Sequence, residues 1–392
     1  MNARLAVFHP DVQYPRPAIP LRVLPDDLLA ELEAIFVRDR RDPFPRALID
    51  DLRWTRCAAC GAEHARAVCP GCVLTAKAAV KETTVVRGEV TATRIFTTRG
   101  VIVLAALQDG ALRWLAHEGE RYAREDGAEV ARGGLDPALA FAIHGRATIV
   151  GRGASAVTIA PGRAPERFAA DVFRGRPVVG ANARRRYWAR AGVLYRGGST
   201  TAGDDLAARL DRDTAARIGD VLAGQTRFWI GDRFGLGFYR AGTLSVAFVF
   251  GAERGGLVDT VKLPFLPGEI LDADCVFDAD RAWVLFAARH RGRTVHQCVV
   301  VGAAGDVLAS AQADGDDGSW LGTVGGKCAA GGCLLAATDG GVVRVDLRDG
   351  ALVETRRFPD TEAFVDAETR LFAGSRGLFA VGEREIHLLR IA

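Results

Sequence analysis

Lysine is almost missing from this 392-residue chain: of its 51 lysines and arginines, only Lys77, Lys81, Lys262 and Lys327 are lysine. The formal net charge is only +3, too small for a global field that draws in nucleic acid or an anionic membrane. With abundant alanine and glycine, the arginine preference is the composition of a GC-rich genome, although guanidinium groups also suit carboxylates and phosphates. Equally absent is any apolar run near the roughly 20 residues needed to span a bilayer. No basic, apolar, small-residue leader opens the chain. The sequence lacks the G-x-S-x-G elbow, the phosphate loop, H-E-x-x-H and the dinucleotide fingerprint, so nothing marks a common hydrolase, nucleotidase or oxidoreductase. Methionine occurs once against 45 glycines, a balance that suits a β-protein with many tight turns.

What is present is a repeated phrase: a β-branched or aromatic strand, a polar turn, then a second apolar strand. It runs through Thr93–Ala106, Arg185–Gly197, Thr226–Ala241, Asp274–Ala288 and Thr369–Gly382. Weaker copies occupy Ala140–Arg152 and Gly326–Thr338. A period of about 40–50 residues built from strands and glycine turns is the spacing of four-stranded propeller blades. The expected fold is therefore all-β, a seven-bladed β-propeller over residues 83–392. Inner strands such as Val101–Leu107, Val246–Phe250 and Trp283–Ala287 are apolar on both faces, as strands covered by neighbouring blades should be. The last repeat stops short, and the strand Thr83–Val90 precedes the first. That strand is expected to complete the last blade and remove an open sheet edge.

Residues 1–56 form an N-terminal arm. Pro10, Pro15, Pro17 and Pro20 favour extended chain. An amphipathic helix then begins near Asp26 or Asp27 with Leu28, Leu29, Leu32, Ile35 and Phe36 as its stripe. A second short helix is expected after Asp42-Pro43, with Phe44, Leu48 and Leu52 on one side. Both are too short to persist alone and must dock, on this chain or on a partner.

Residues 57–75 carry Cys57, Cys60, Cys69 and Cys72 as two C-x-x-C turns eight residues apart. Four thiolates so spaced close a tetrahedron, the ligand set of a structural zinc ribbon that rubredoxin-like iron also accepts. A closed four-thiolate set leaves no open position for catalysis. Paired thiols of this kind suit a reducing interior, so a cytoplasmic protein is expected. His64 is read as a surface hairpin residue. Cys275, Cys298, Cys328 and Cys333 fall in strands and are read as small buried hydrophobes.

Two stretches break the blade pattern. Within residues 199–222, Leu206, Leu210, Ala215, Ile218 and Leu222 recur at near-helical spacing, which predicts a helical insertion. The fourth repeat crowds Trp229, Phe234, Phe238, Tyr239 and Arg240 around Gly231, Gly235 and Gly237. Leu206, Leu210, Trp229, Phe234, Tyr239 and Arg240 are thus the candidate partner-binding residues, since aromatic and arginine anchors often carry interface energy. For catalysis the one constellation on offer is Asp272, Asp274 and Asp366, which would have to meet in the central channel. The reading is a non-catalytic interaction scaffold; the alternatives are a channel-site hydrolase and a nucleic-acid-binding zinc ribbon. No basic-aromatic stripe flanks the cysteines to favour the last of these.

The ribbon Cys57–Cys72, the repeats from Thr83 onward, and phrases such as Phe234–Gly242 and Asp360–Asp366 resemble the bacterial propeller components of MoxR–von Willebrand A–β-propeller systems. That resemblance implies an adaptor that works with a MoxR-type AAA ATPase and a von Willebrand A protein. No Trp-Asp dipeptide ends a blade, so the chain is not a standard WD-repeat protein.

Overall fold

Strand Arg281–His290 shows why this sequence makes stacked blades. Trp283 and Leu285 turn to one side, Val284 and Phe286 to the other, and all four are buried. A strand with two apolar faces needs a cover on each, and here each cover is a neighbouring sheet. The computed structural model describes residues 21–58, 61–66, 69–70, 83–197, 215–241, 244–264, 268–315 and 317–391. The chain divides into two compact units, Met1–Ala79 and Val80–Ala392.

The larger unit is a seven-bladed β-propeller. Six antiparallel four-stranded sheets follow in chain order, spanning Val101–Arg132, Ala140–Ala169, Val179–Asp220, Thr226–Val261, Glu269–Asp314 and Lys327–Phe358. The seventh sheet joins the two ends of the unit and has five strands. The first strand of each blade lies next to the first strand of the following one. The circle closes where Arg370–Gly374 meets Val101–Gln108.

Closure differs from the expected form. Glu385–Ile391 pairs with Val90–Thr97, running from Ile391 opposite Val90 to Glu385 opposite Thr97. Thr83–Arg87 lies one place further out, as the fifth strand. The phrase Thr93–Ala106 is accordingly no hairpin: its first strand completes the last blade and its second opens the first. Arg185–Gly197 is also displaced, forming the second and third strands of blade three after the short first strand Val179–Ala181. A four-strand meander contains three similar hairpins, so the phrase fixes the period but not which hairpin it marks.

The predicted helical insertion falls partly on residues 198–214, which lie outside the described residues along with Leu206 and Leu210. Its described end is a strand: Ala216–Asp220 is the outer strand of blade three and pairs with Val193–Arg196. Ile218 is buried there. Five residues do not separate a period of two from one of 3.6, and the empty edge of the sheet takes them.

In the smaller unit a helix spans Asp26–Phe36 and a short one Ala47–Asp50. Leu28 is buried, whereas Phe36 at the end of the stripe is exposed. The strand pair Thr55–Arg56 and Glu63–His64 forms a small hairpin.

The ring-closing strand yields a direct test. Val90 and Ala92 are 1% and 0% exposed and pack with Leu371, Leu378 and Leu389. A chain beginning at Val90 should remain monomeric on gel filtration, whereas one beginning at Thr98 should aggregate through the uncovered edge of Glu385–Ile391. Identical behaviour of the two would show that Val90–Thr97 does not hold the ring.

Candidate metal centre and the blade-four cluster

The hairpin in the N-terminal unit carries Cys57 directly after its first strand. Cys57 N–H donates to Ala62 O at 2.9 Å, and Gly61 N–H donates to Cys57 O at 2.8 Å. Gly61 sits at φ +74°, a left-handed conformation that glycine adopts without a side-chain penalty. The turn is anchored from behind within the same unit. Ala65 N–H donates to Val23 O at 2.9 Å, and Arg66 Nε–H donates to Leu24 O at 2.7 Å.

His64 departs from the sequence expectation. It is 4% exposed rather than on the surface. Its ring nitrogen and the sulfurs of Cys57 and Cys69 lie within 4.8 Å of one another. Donors bound to one tetrahedral zinc stand about 3.6–3.8 Å apart, so this group is compact enough to close on an ion. Two thiols and an imidazole favour a borderline-soft cation such as zinc over calcium or magnesium. Cys60 and Cys72, the other two expected ligands, lie outside the described residues. His64 Nδ1 also accepts from Arg66 N–H at 3.3 Å, which helps to fix the ring plane.

In blade four the glycines serve packing. A Cβ on Gly235 would stand 2.2 Å from the Phe250 ring, and one on Gly237 would stand 2.4 Å from the Phe248 ring. The two glycines leave the space that the aromatic rings of the next strand fill. Phe234 is 4% exposed and meets Phe277 edge-on at 5.3 Å, so it belongs to the core and offers nothing to a partner. Trp229, Tyr239 and Arg240 remain half-buried. Trp229 lies 6.1 Å from Phe238, and Tyr239 lies 6.1 Å from Phe248. Arg240 Nη2 donates to Gly268 O at 2.8 Å.

Two residues of this neighbourhood escaped the sequence reading. Arg227 stacks over Trp229 with its guanidinium carbon 4.7 Å from the ring centroid. It stands two positions from Trp229 on a strand, which places both on one face, and that spacing was a usable signal. Arg174 arrives from a hairpin between blades two and three, and no periodicity announced it.

The three aspartates proposed for the channel form no metal-sized group. Among the described residues, the group Cys57, His64 and Cys69 is the sole metal-sized cluster of cysteine, histidine and acidic side chains. Asp272 pairs with Arg227 at 3.4 Å. Asp274 sits deep in the ring while retaining some open surface, and burial holds its carboxyl above the usual range. Asp366 shapes a turn instead, accepting from Thr369 Oγ1 at 2.7 Å and from Glu368 N–H at 3.1 Å. On the next blade's inner strand, burial pushes the Lys327 ammonium down to about 8. Its Nζ donates to Thr323 Oγ1 at 3.0 Å and to Gly325 O at 2.9 Å.

No protein-family model matches the chain, and no curated protein matches it. Among solved structures it is similar to one described as "Structure of apo AztD from Citrobacter koseri". The identity is 11%, the match covers 73% of this chain and 89% of that one, and the TM-score is 0.32.

The strand cysteines are buried, and burial pushes the thiols of Cys298 and Cys328 up to about 12. A thiol raised on folding contributes stability below its unfolded value of about 8.5 and loses it as pH climbs toward the folded value. Lys327 acts in the opposite sense, because its folded value is depressed. Subtracting the pH profile of a Cys298→Ala variant from that of the parent isolates the cysteine. In urea unfolding, the parent's advantage should shrink steadily from pH 8 to pH 10. A constant difference would mean that the Cys298 site is wet.

Proposed function

We propose that the protein is a non-catalytic interaction scaffold: a closed propeller joined to a metal-stapled N-terminal unit that docks a partner protein. The observation that carries this reading is the apolar surface of the smaller unit. Phe36, Val37, Ile49 and Trp54 are 65%, 52%, 55% and 51% exposed, all within a stretch of 19 residues. Large apolar side chains left in water at this density mark interaction sites, and tryptophan and phenylalanine are frequent anchors. The resemblance to MoxR–von Willebrand A–β-propeller systems supplies the partner, a MoxR-type ATPase acting with a von Willebrand A protein. Such a partner would place the chain in a bacterial cytoplasm.

In this reading the metal is structural zinc. Cys57, Cys60, Cys69 and Cys72 form the expected ligand set, and His64 stands within reach of the same ion. A unit with so little buried apolar surface gains most of its stability from the ion, roughly 10–16 kcal/mol of binding for comparable small domains. Elemental analysis should return about one zinc per chain, and Cys69→Ser should lose it. Chelation should shift Trp54 fluorescence while the propeller's melting transition stays in place. His64→Phe separates the ligand sets: unchanged zinc affinity assigns four thiolates, whereas weaker binding assigns the histidine. Metal-free protein with an intact N-terminal unit would remove the staple.

The docking surface is tested with a purified MoxR-type ATPase from the same genome. Phe36→Ala and Trp54→Ala should each weaken binding about tenfold or more, the loss expected of an interface hot spot. The melting transition of the ring should not move. Undiminished binding by both variants would rule out this surface.

A further inference from the structure

The hairpin between blades two and three meets blades four and five at a cleft of about 310 Å³ lined by Phe173, Arg174, Arg227, Phe238, Arg240 and Ile270, together with Gly224 and Gln225. Three guanidinium groups line it, and among the described residues no carboxylate belongs to the lining. Asp272 pairs with Arg227 at 3.4 Å and is itself 62% exposed. Asp274 lies on the same strand, and burial raises its carboxyl above the usual range against the opposing pull of Arg227.

Arg174 and Arg240 are held by backbone carbonyls, Arg227 by side chains. The hairpin Val172–Phe173 and Arg176–Pro177 belongs to the connection from blade two to blade three. Arg176 Nη2 donates from it to Pro137 O at 3.1 Å. Its two turn residues, Arg174 and Gly175, both have positive φ, +50° and +79°. An arginine in that first position is under strain that asparagine or glycine would avoid. Its side chain reaches blade five, donating to Leu271 O at 2.6 Å and also to Ile270 O. Those carbonyls lie where the inner strand of blade five shifts register between Ile270 and Asp272. Arg240 spends Nη2 on Gly268 O, while its buried Nε has no hydrogen-bond partner among the described residues. Arg227 lies over the Trp229 ring, and its Nη1 donates to Asp272 Oδ1 at 3.4 Å.

We propose that this cleft binds an organic carboxylate, held between Arg227 and Arg240 with its apolar body against Phe173, Phe238 and Ile270. Planar guanidinium forks match a carboxylate in two-point contact, and charge-assisted hydrogen bonds of this kind are the strong ones. The volume falls at the lower end for small-molecule sites, and it also admits one acidic terminus of a peptide. This inference does not depend on the N-terminal docking surface, and its test leaves that surface untouched.

Calorimetric titration of the full chain with 3-phenylpropionate should give saturable binding at millimolar concentration. The uncharged analogue 3-phenylpropanol should give none. Arg240→Gln should weaken the acid about tenfold or more without moving the melting transition. If that variant fails to fold, Arg227→Gln serves, and the acid should again bind about tenfold or more weaker. A short peptide ending in phenylalanine, compared with its amidated form, separates the two sources. Binding of the free acid alone identifies a small-molecule site, and binding of the free-carboxyl peptide identifies a peptide terminus. Equal binding of acid and alcohol, undiminished binding by the variant, preference for inorganic phosphate, or no binding by any probe would each overturn the proposal.

Discussion

A sheet that is apolar on both faces cannot stand in water, and every blade of this protein depends on that constraint. Phe234, Leu236 and Phe238 of blade four are buried against Ile270, Val284 and Phe286 of blade five. The opposite face of blade five buries Trp283, Leu285 and Val300 against Leu334 and Val343 of blade six. Each fully buried side chain of this size is worth about 1.5–3 kcal/mol relative to exposure, and none of that is available until the neighbouring sheet exists. The last blade therefore needs the first, and Val90–Thr97 supplies the missing strand from the far end of the unit. Closure is a requirement of the packing rather than an ornament on it.

The seams are not all alike, and the difference explains the arginine. From blade three round to blade one, large apolar clusters fill the gaps. Between blades one and two, buried polar groups cross instead. Gln108 donates to Ile143 O at 2.7 Å, and Arg124 donates to Ala147 O at 3.1 Å and Thr148 Oγ1 at 2.9 Å. Between blades two and three, His144 Nδ1 meets Asn182 O at 3.1 Å, and Arg186 reaches Thr158 Oγ1 at 2.8 Å. Elsewhere Arg196 donates to Ala252 O and Arg370 to Ile102 O, each from one blade to the next. A guanidinium offers five donors in a rigid fork and a long apolar stem, so one residue can cap several strand-end carbonyls. Lysine, a strongly hydrated point charge, does this poorly. Whatever sets the supply of arginine, the seams use it.

Blade number and period were legible because they follow from spacing, which a single sequence displays. Which strand closes the ring was not. Thr83–Arg87 and Val90–Thr97 are adjacent, similar in composition and both short of a partner, and only the register of Ile391 against Val90 separates them. Residues 216–220 misled for a related reason: five residues carry too few periods to tell a helix from a strand. Phe234 looked like a contact residue because aromatics and glycines were read as a surface, when Gly235 and Gly237 exist to admit Phe250 and Phe248. The cysteine pairs stood out through local spacing. His64 did not, because its burial depends on a hairpin whose strands are two residues each.

The arginine cleft was invisible for a deeper reason. Arg174 comes from a connection, Arg227 from an inner strand and Arg240 from the strand beside it, and Gly268 and Ile270 come from the next blade. No sequence window holds all of these, and no motif links them. They meet because successive inner strands are held side by side and because the connection out of blade two doubles back as a hairpin. That hairpin accepts an unfavourable backbone at Arg174 in return for two carbonyl contacts on blade five. A strained residue whose side chain spans to another blade fixes the cleft's width, since any widening breaks those bonds. The charge of the cleft thus follows from local chemistry, while its shape follows from the closed ring.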